Sequence, residues 1–189
     1  MKFIRDEIRN IRRKDPAIKN NIEVLLYPSF KAIIWYRIAH YFYLKKHYFI
    51  ARYLSERTKR KTGIEIHPGA TIGKDLFIDH GIGTVIGETA IVGDNVTMFH
   101  DVTLGGTGFQ SGKRHPTVED NVFIGSGSKI LGNIVIGKNS RIGANAVVLK
   151  NVPSDVTVVG IPGKIKEKKK IHNLKATQKN EIKKENKDR

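Results

Sequence analysis

The chain has 189 residues, no cysteine and a formal net charge of +16. That length holds one sizeable domain and an appendage, and the lack of cysteine excludes disulfides, thiolate zinc sites and a thiol nucleophile. The charge invites a nucleic-acid partner, but residues 1–62 carry 16 basic and 5 acidic side chains, residues 63–163 carry 7 and 9, and residues 164–189 carry 11 and 4. The excess therefore flanks a nearly neutral middle, as a solvated helical face and a basic tail would, so no nucleic-acid partner is expected. No run approaches the roughly 18–20 apolar residues that span a bilayer. The first twenty residues mix charges throughout, unlike a signal peptide. No membrane partner and a cytoplasmic location are expected.

Residues 1–62 read as a small helical N-terminal domain. Residues 2–13 place Phe3, Ile4, Ile8 and Ile11 on one helical face. Asp15 precedes Pro16, which pushes it out of the α region and makes it a good N-cap for the amphipathic stretch 18–27. A stronger helix follows from Ser29 to Lys46, with Phe30, Ile33, Ile34, Ile38, Phe42 and Tyr43 at helical spacing and an aromatic stripe widened by Trp35, Tyr36 and Tyr41. The last helix, about 48–61, ends in basic residues before Gly63.

After Gly63 the period changes. Apolar residues stand at Ile66, Ile72, Ile78, then Ile86, Val92, Met98, Leu104, then Val118, Ile124, Ile130, Ile136, Ile142 and Val148, mostly six apart. Glycine often follows, as at Gly73, Gly87 and Gly125, and Ala90, Val96, Ser128, Ser140 and Ala146 sit four after the apolar residue. This hexapeptide repeat predicts a parallel β-helix over residues 63–165: each unit makes one flat side and a turn, three units make a coil, and the glycines serve the turns.

The six-residue frame breaks three times. Ile78 to Ile86 is eight residues, a bulge directly after Asp79-His80. Leu104 to Val118 is fourteen, which extrudes a glycine-rich loop over 105–117 ending in Arg114-His115-Pro116. Val148 to Val158 is ten. Loops on rigid scaffolds collect chemistry, and two of these breaks carry a histidine. His100 lies one coil beyond His80 and is expected to stack over it. Arg114 offers a planar fork suited to a carboxylate.

Asp15-Pro16-Ala17, Ile66-His67-Pro68-Gly69-Ala70, Ile78-Asp79-His80-Gly81, Val85-Ile86-Gly87-Glu88-Thr89, Val102 to Gly108, Arg114-His115-Pro116 and Ile130 to Ile134 together resemble the bacterial serine O-acetyltransferases. The resemblance runs from about residue 2 to 166. It implies a left-handed, trimeric prism that moves the acetyl group of acetyl-CoA to the hydroxyl of L-serine, with no metal. It makes His80 the general base and places Glu65, one methylene longer than the family's aspartate, as the carboxylate that orients it. Asp15 and Asp79 would bind the serine ammonium and Arg114 its carboxylate. His115, from a neighbouring chain, would hydrogen-bond substrate or the developing oxyanion. Gly106, Ser126, Arg141 and Ala144 would line a groove for the pantetheine between two prisms. Feedback inhibition by L-cysteine is also implied.

The helical front is shorter than the family's long form, so a homotrimer rather than a hexamer is expected. The tail, residues 166–189, is lysine-rich and ends in Arg189 rather than isoleucine. It is expected to be disordered and to form no tight complex with cysteine synthase. The alternative within this fold is an acetyltransferase acting on a sugar or another small alcohol, which would not need the charges of Asp15, Asp79 and Arg114. A prism-shaped zinc hydratase needs three converging histidines, including a pair five apart, which His67, His80, His100 and His115 do not supply. A non-catalytic scaffold is favoured only by bulk charge.

Overall fold

The computed structural model describes residues 2–108 and 111–166. All but the first residue of the basic tail, and the centre of the extruded loop, lie outside the described residues. Helix α1 spans Lys2–Lys14, α2 Pro28–Leu44 and α3 Tyr48–Thr62. Gly63 closes α3 in the left-handed conformation that its lack of Cβ permits (φ 70°). The stretch 18–27 does not form the expected helix: it holds only a 3₁₀ turn at Glu23–Leu26. Asp15 therefore caps no helix. Its Oδ1 instead accepts from the Ala17 amide (2.8 Å), a local turn that competes with helix formation.

Beyond Gly63 the chain winds as a three-sided parallel prism. One side stacks Glu65–Ile66, Val85–Ile86, Thr103–Gly105, Lys129–Leu131 and Val147–Val148. The second stacks Thr71–Ile72, Ile91–Val92, Thr117–Val118 and Val135–Ile136. The third runs from Phe77–Ile78 through Thr97–Met98, Phe123–Ile124 and Arg141–Ile142 to Thr157–Val159, where an antiparallel strand, Lys164–Lys166, closes it. The six-spaced apolar residues all point inward: Ile86, Leu104, Ile124, Ile130, Ile136 and Ile142 are fully buried. Each such side chain contributes about 1.5–3 kcal/mol, but only once neighbouring coils cover it.

The repeat glycines do not serve left-handed turns, as the sequence reading had it. That conformation is taken mainly by Asp and Asn, among them Asp75, Asn95, Asn121, Asn139 and Asn145, whose short side chains tolerate it. The glycines permit close stacking instead. A Cβ on Gly73 would lie 2.7 Å from the Gly93 carbonyl carbon, and one on Gly125 2.6 Å from the Ala144 amide nitrogen, both on the next coil.

The helices close the open end of the prism. Along its flat sides each coil donates its amides to the carbonyls of the next, as in Glu65 N–H to Thr84 and Thr71 N–H to Ala90, and only turn amides such as those of Gly83 and Asn95 donate back. The first coil's own carbonyls thus face away, an edge that needs donors. Ser55 donates to the Ile66 carbonyl, His40 to Pro68, Tyr36 to Ala70, Arg37 to Ile72 and Gly73, Lys14 to Asp75 and Asn10 to Leu76, at 2.5–3.2 Å.

Glu7 lies in this seam, 5% exposed, and its Oε1 has no hydrogen-bond partner among the described residues. Burial pushes its carboxyl up to about 7, against the pull of Arg37 and Lys14 and helped by Asp75. It lines a cavity of about 910 Å³ with Phe3, Arg37 and Asp94, to which none of the expected site residues contributes. The unfolded chain releases this proton near 4.5 and the folded chain near 7, so stability falls as pH rises through that window. Glu7→Gln should raise stability by about 1–3 kcal/mol at pH 8 and by far less at pH 5. Thermal melts at the two pH values check this; an equal shift at both contradicts it.

Candidate active site

The ladder register fixes the first corner. Ile78, Met98, Ile124, Ile142 and Val158 are consecutive partners on the third side. The residues two places further on therefore form one column: His80, His100, Ser126 and Ala144. The expected stacking of His100 on His80 is present, with ring centroids 6.0 Å apart in an edge-on arrangement. At the next turn position, Gly83, Asp101, Gly127 and Asn145 all have positive φ, as the turn demands. The two-residue bulge adds two more, Gly81 and His80 itself, which sits at φ 59°. That conformation costs a side-chain-bearing residue about 1–2 kcal/mol, and such strain collects at functional positions. The His80 side chain is 75% exposed.

Asp79 is mostly covered, and its Oδ1 stands 3.9 Å from His80 Nε2, beyond hydrogen-bond distance. Asp15 is held by two donors, the Ala17 amide and the Tyr27 hydroxyl, the latter at 2.5 Å to Oδ2. That hydrogen bond, with burial and the negative charges of Asp15, Glu23 and Asp79, pushes the Tyr27 phenol up to about 12. Both aspartates therefore lie within electrostatic reach of one phenol, although 64 positions separate them in the chain. Ile11, Ile18, Val24 and Phe30 hold this region against Phe77, two residues before Asp79.

The second corner carries the end of the extruded loop. His115 is 8% exposed and packs its ring onto Gly87, where a Cβ would collide with it. The Thr89 amide donates to His115 Nδ1 (3.2 Å), and the Thr89 hydroxyl, which itself accepts from the Arg114 and His115 amides, lies 2.9 Å from the same nitrogen. Nδ1 is thus the acceptor and Nε2 carries the proton. Burial, then the Arg114 charge, lowers the His115 pKa and keeps the ring neutral. Arg114 binds Glu88 Oε2 at 2.7 Å, and Glu88 also accepts from the Tyr43 hydroxyl (3.2 Å). Glu88, Thr89 and Tyr43 had no assigned role in the sequence reading.

Within one chain, His80 and the Arg114–His115 pair occupy different corners. Ser126 and Ala144 share the His80 column, Arg141 lies beside it with its guanidinium 4.3 Å from the Phe123 ring centroid, and Gly106 packs beside Arg114. Glu65 binds Lys59 Nζ at 2.5 Å, and among the described residues no hydrogen bond or ion pair joins it to His80. The physical reason is proximity: α3 ends in Lys59, Arg60 and Lys61, whose charges crowd the first strand.

Stacked six-residue units in three parallel sheets define a hexapeptide-repeat transferase, and residues 115–150 match the family model described as bacterial transferase hexapeptide (six repeats). A serine acetyltransferase of Synechococcus elongatus is 56% identical over 165 residues, covering 87% of this chain and 68% of the relative. The solved serine acetyltransferase of Neisseria gonorrhoeae in complex with serine superposes with TM-score 0.84 at 41% identity, over 88% of this chain and 68% of that one. That of Brucella abortus in complex with coenzyme A gives 0.83 at 46%, over 87% and 66%. The chain belongs to the serine acetyltransferase family.

The strain at His80 is separable from its chemistry. His80→Gly should be more stable than His80→Ala by about 1 kcal/mol, because only glycine adopts this φ freely. Chemical denaturation of the two variants measures it, and equal midpoints would contradict a strained turn.

Proposed function

We propose that the chain transfers the acetyl group of acetyl-CoA to the hydroxyl of L-serine, giving O-acetyl-L-serine and CoA, the entry step of cysteine biosynthesis. The observation that carries this reading is the corner column, in which an exposed, strained histidine stands beneath Ser126 and Ala144 and beside Asp79. His80 takes the serine proton as the hydroxyl oxygen attacks the thioester carbonyl carbon. The C–S bond then breaks, and the proton is returned to the departing CoA sulfur. Asp79 and Asp15 hold the serine ammonium.

Arg114, steadied by Glu88, receives the serine carboxylate, and the His115 Nε2 proton is offered to substrate or to the carbonyl oxygen as charge builds there. These groups sit at a different corner from His80, so we place the reaction between chains of a homotrimer, with the His80 corner of one prism facing the His115 corner of the next. Acetyl-CoA lies along the column in the groove between prisms, flanked by Ser126, Ala144, Arg141 and Gly106. L-Cysteine has the charges and nearly the shape of serine, so it competes for the same carboxylates and guanidinium.

The test measures CoA release from acetyl-CoA with L-serine, homoserine and a sugar alcohol, in the wild type and in His80→Ala. Serine-dependent release, reduced at least about 100-fold in the variant, is expected. Release without serine, or an unimpaired variant, would overturn the reading. Light scattering should report three chains; a stable hexamer would refute the simple trimer.

A further inference from the structure

The carboxylate of Asp15 has no helix to fix it. It sits after α1 in the irregular stretch that leads to α2, a poor platform for binding a small ion. Its orientation comes from two donors aimed at its two oxygens: the Ala17 amide at Oδ1, 2.8 Å, and the Tyr27 hydroxyl at Oδ2, 2.5 Å. The first belongs to the same irregular stretch. The second is anchored elsewhere. Tyr27 stands at the start of α2, its amide donates to the Val24 carbonyl (3.0 Å), and it packs with Ile11, Ile18, Val24, Phe30 and Phe77. Helix α2 in turn is tied to the first coil through Tyr36 and Arg37. A rigid line thus runs from the prism through α2 to the Tyr27 phenol and on to Asp15.

We infer that Tyr27 is a positioning residue for the substrate ammonium, holding the Asp15 carboxylate in the plane in which it and Asp79 grip the same charge. A carboxylate oxygen that accepts one hydrogen bond keeps a second lone pair, so Asp15 can bind Tyr27 and an ammonium together. Asp79 adds to the negative field at the same phenol, after Asp15 and Glu23. The phenol does not touch the reacting atoms. Its loss should weaken serine binding in the ground and transition states alike and leave the chemical step intact.

This inference rests on the proposed serine site, and two variants separate the two. Tyr27→Phe keeps the ring and its packing and removes only the hydroxyl. It should raise KM for L-serine by about five- to tenfold, with kcat and KM for acetyl-CoA changed by less than about twofold. Cysteine inhibition should weaken by the same factor. Asp15→Asn should raise KM for L-serine further, because it removes the charge itself. If Asp15→Asn leaves KM for L-serine unchanged, the proposed ammonium site is wrong. If Asp15→Asn raises it and Tyr27→Phe does not, the positioning role alone fails. A Tyr27→Phe enzyme with lowered kcat and unchanged KM would also overturn it, and circular dichroism with light scattering identifies a variant that has lost its fold or assembly. In that event Tyr27→His, which keeps a ring donor, must restore folding together with KM, or the role is structural.

Discussion

Along its flat sides every coil of the prism gives its amides to the next coil and turns its carbonyls toward the one before, while a few turn amides donate the other way. This polarity leaves one raw edge, the carbonyls of Ile66, Pro68, Ala70, Ile72, Gly73, Asp75 and Leu76, and the helical front is arranged to close it. The donors come from the side chains of Asn10, Lys14, Tyr36, Arg37, His40 and Ser55, spread over all three helices. An unclosed edge would cost the desolvation of each carbonyl and would template further strands. Closing it also sets α1 and α2 in a fixed relation to the corners above them. Asp15 stands just beyond α1 and Tyr27 at the start of α2, so the cap that stabilises the solenoid also delivers two groups to the candidate site.

The same stacking explains where chemistry can occur. A regular coil has no slack: its glycines are pressed against the next coil, and its inward side chains fill the prism. Only where extra residues enter can the backbone leave this frame. Two extra residues force His80 into a left-handed conformation and lift its ring into solvent above the Asp79 carboxylate. Eight extra residues let Arg114 and His115 fold back onto Gly87, Glu88 and Thr89 of the preceding coil, where burial keeps His115 neutral.

Much of this was legible in the sequence because the repeat is strictly phased. The inward residues, the three breaks, the His80–His100 stack and the column with Ser126 and Ala144 all follow from counting in sixes. What counting does not show is why a residue type recurs. Gly73 and Gly125 looked like turn glycines, but coil-to-coil contact requires them, while aspartate and asparagine adopt the left-handed turns. The stretch 18–27 has helical spacing, yet the side chains of Asp15, Asn20 and Glu23 bind local amides and divert it into irregular turns. Tyr27, Glu88 and the Lys59–Glu65 pair were invisible for a different reason: each is a contact between separate elements, and no repeat spacing marks it.

The account stands on division of the site between two chains, because His80 and His115 occupy separate corners of one prism. Co-expression of His80→Ala with His115→Ala chains, each inactive alone, tests this directly. In randomly mixed trimers about one quarter of inter-chain sites regain both histidines. Serine-dependent CoA release should therefore recover to roughly a quarter of the wild-type rate per chain. Mixed trimers as inactive as either parent would show that both histidines act within one chain, and would contradict the account.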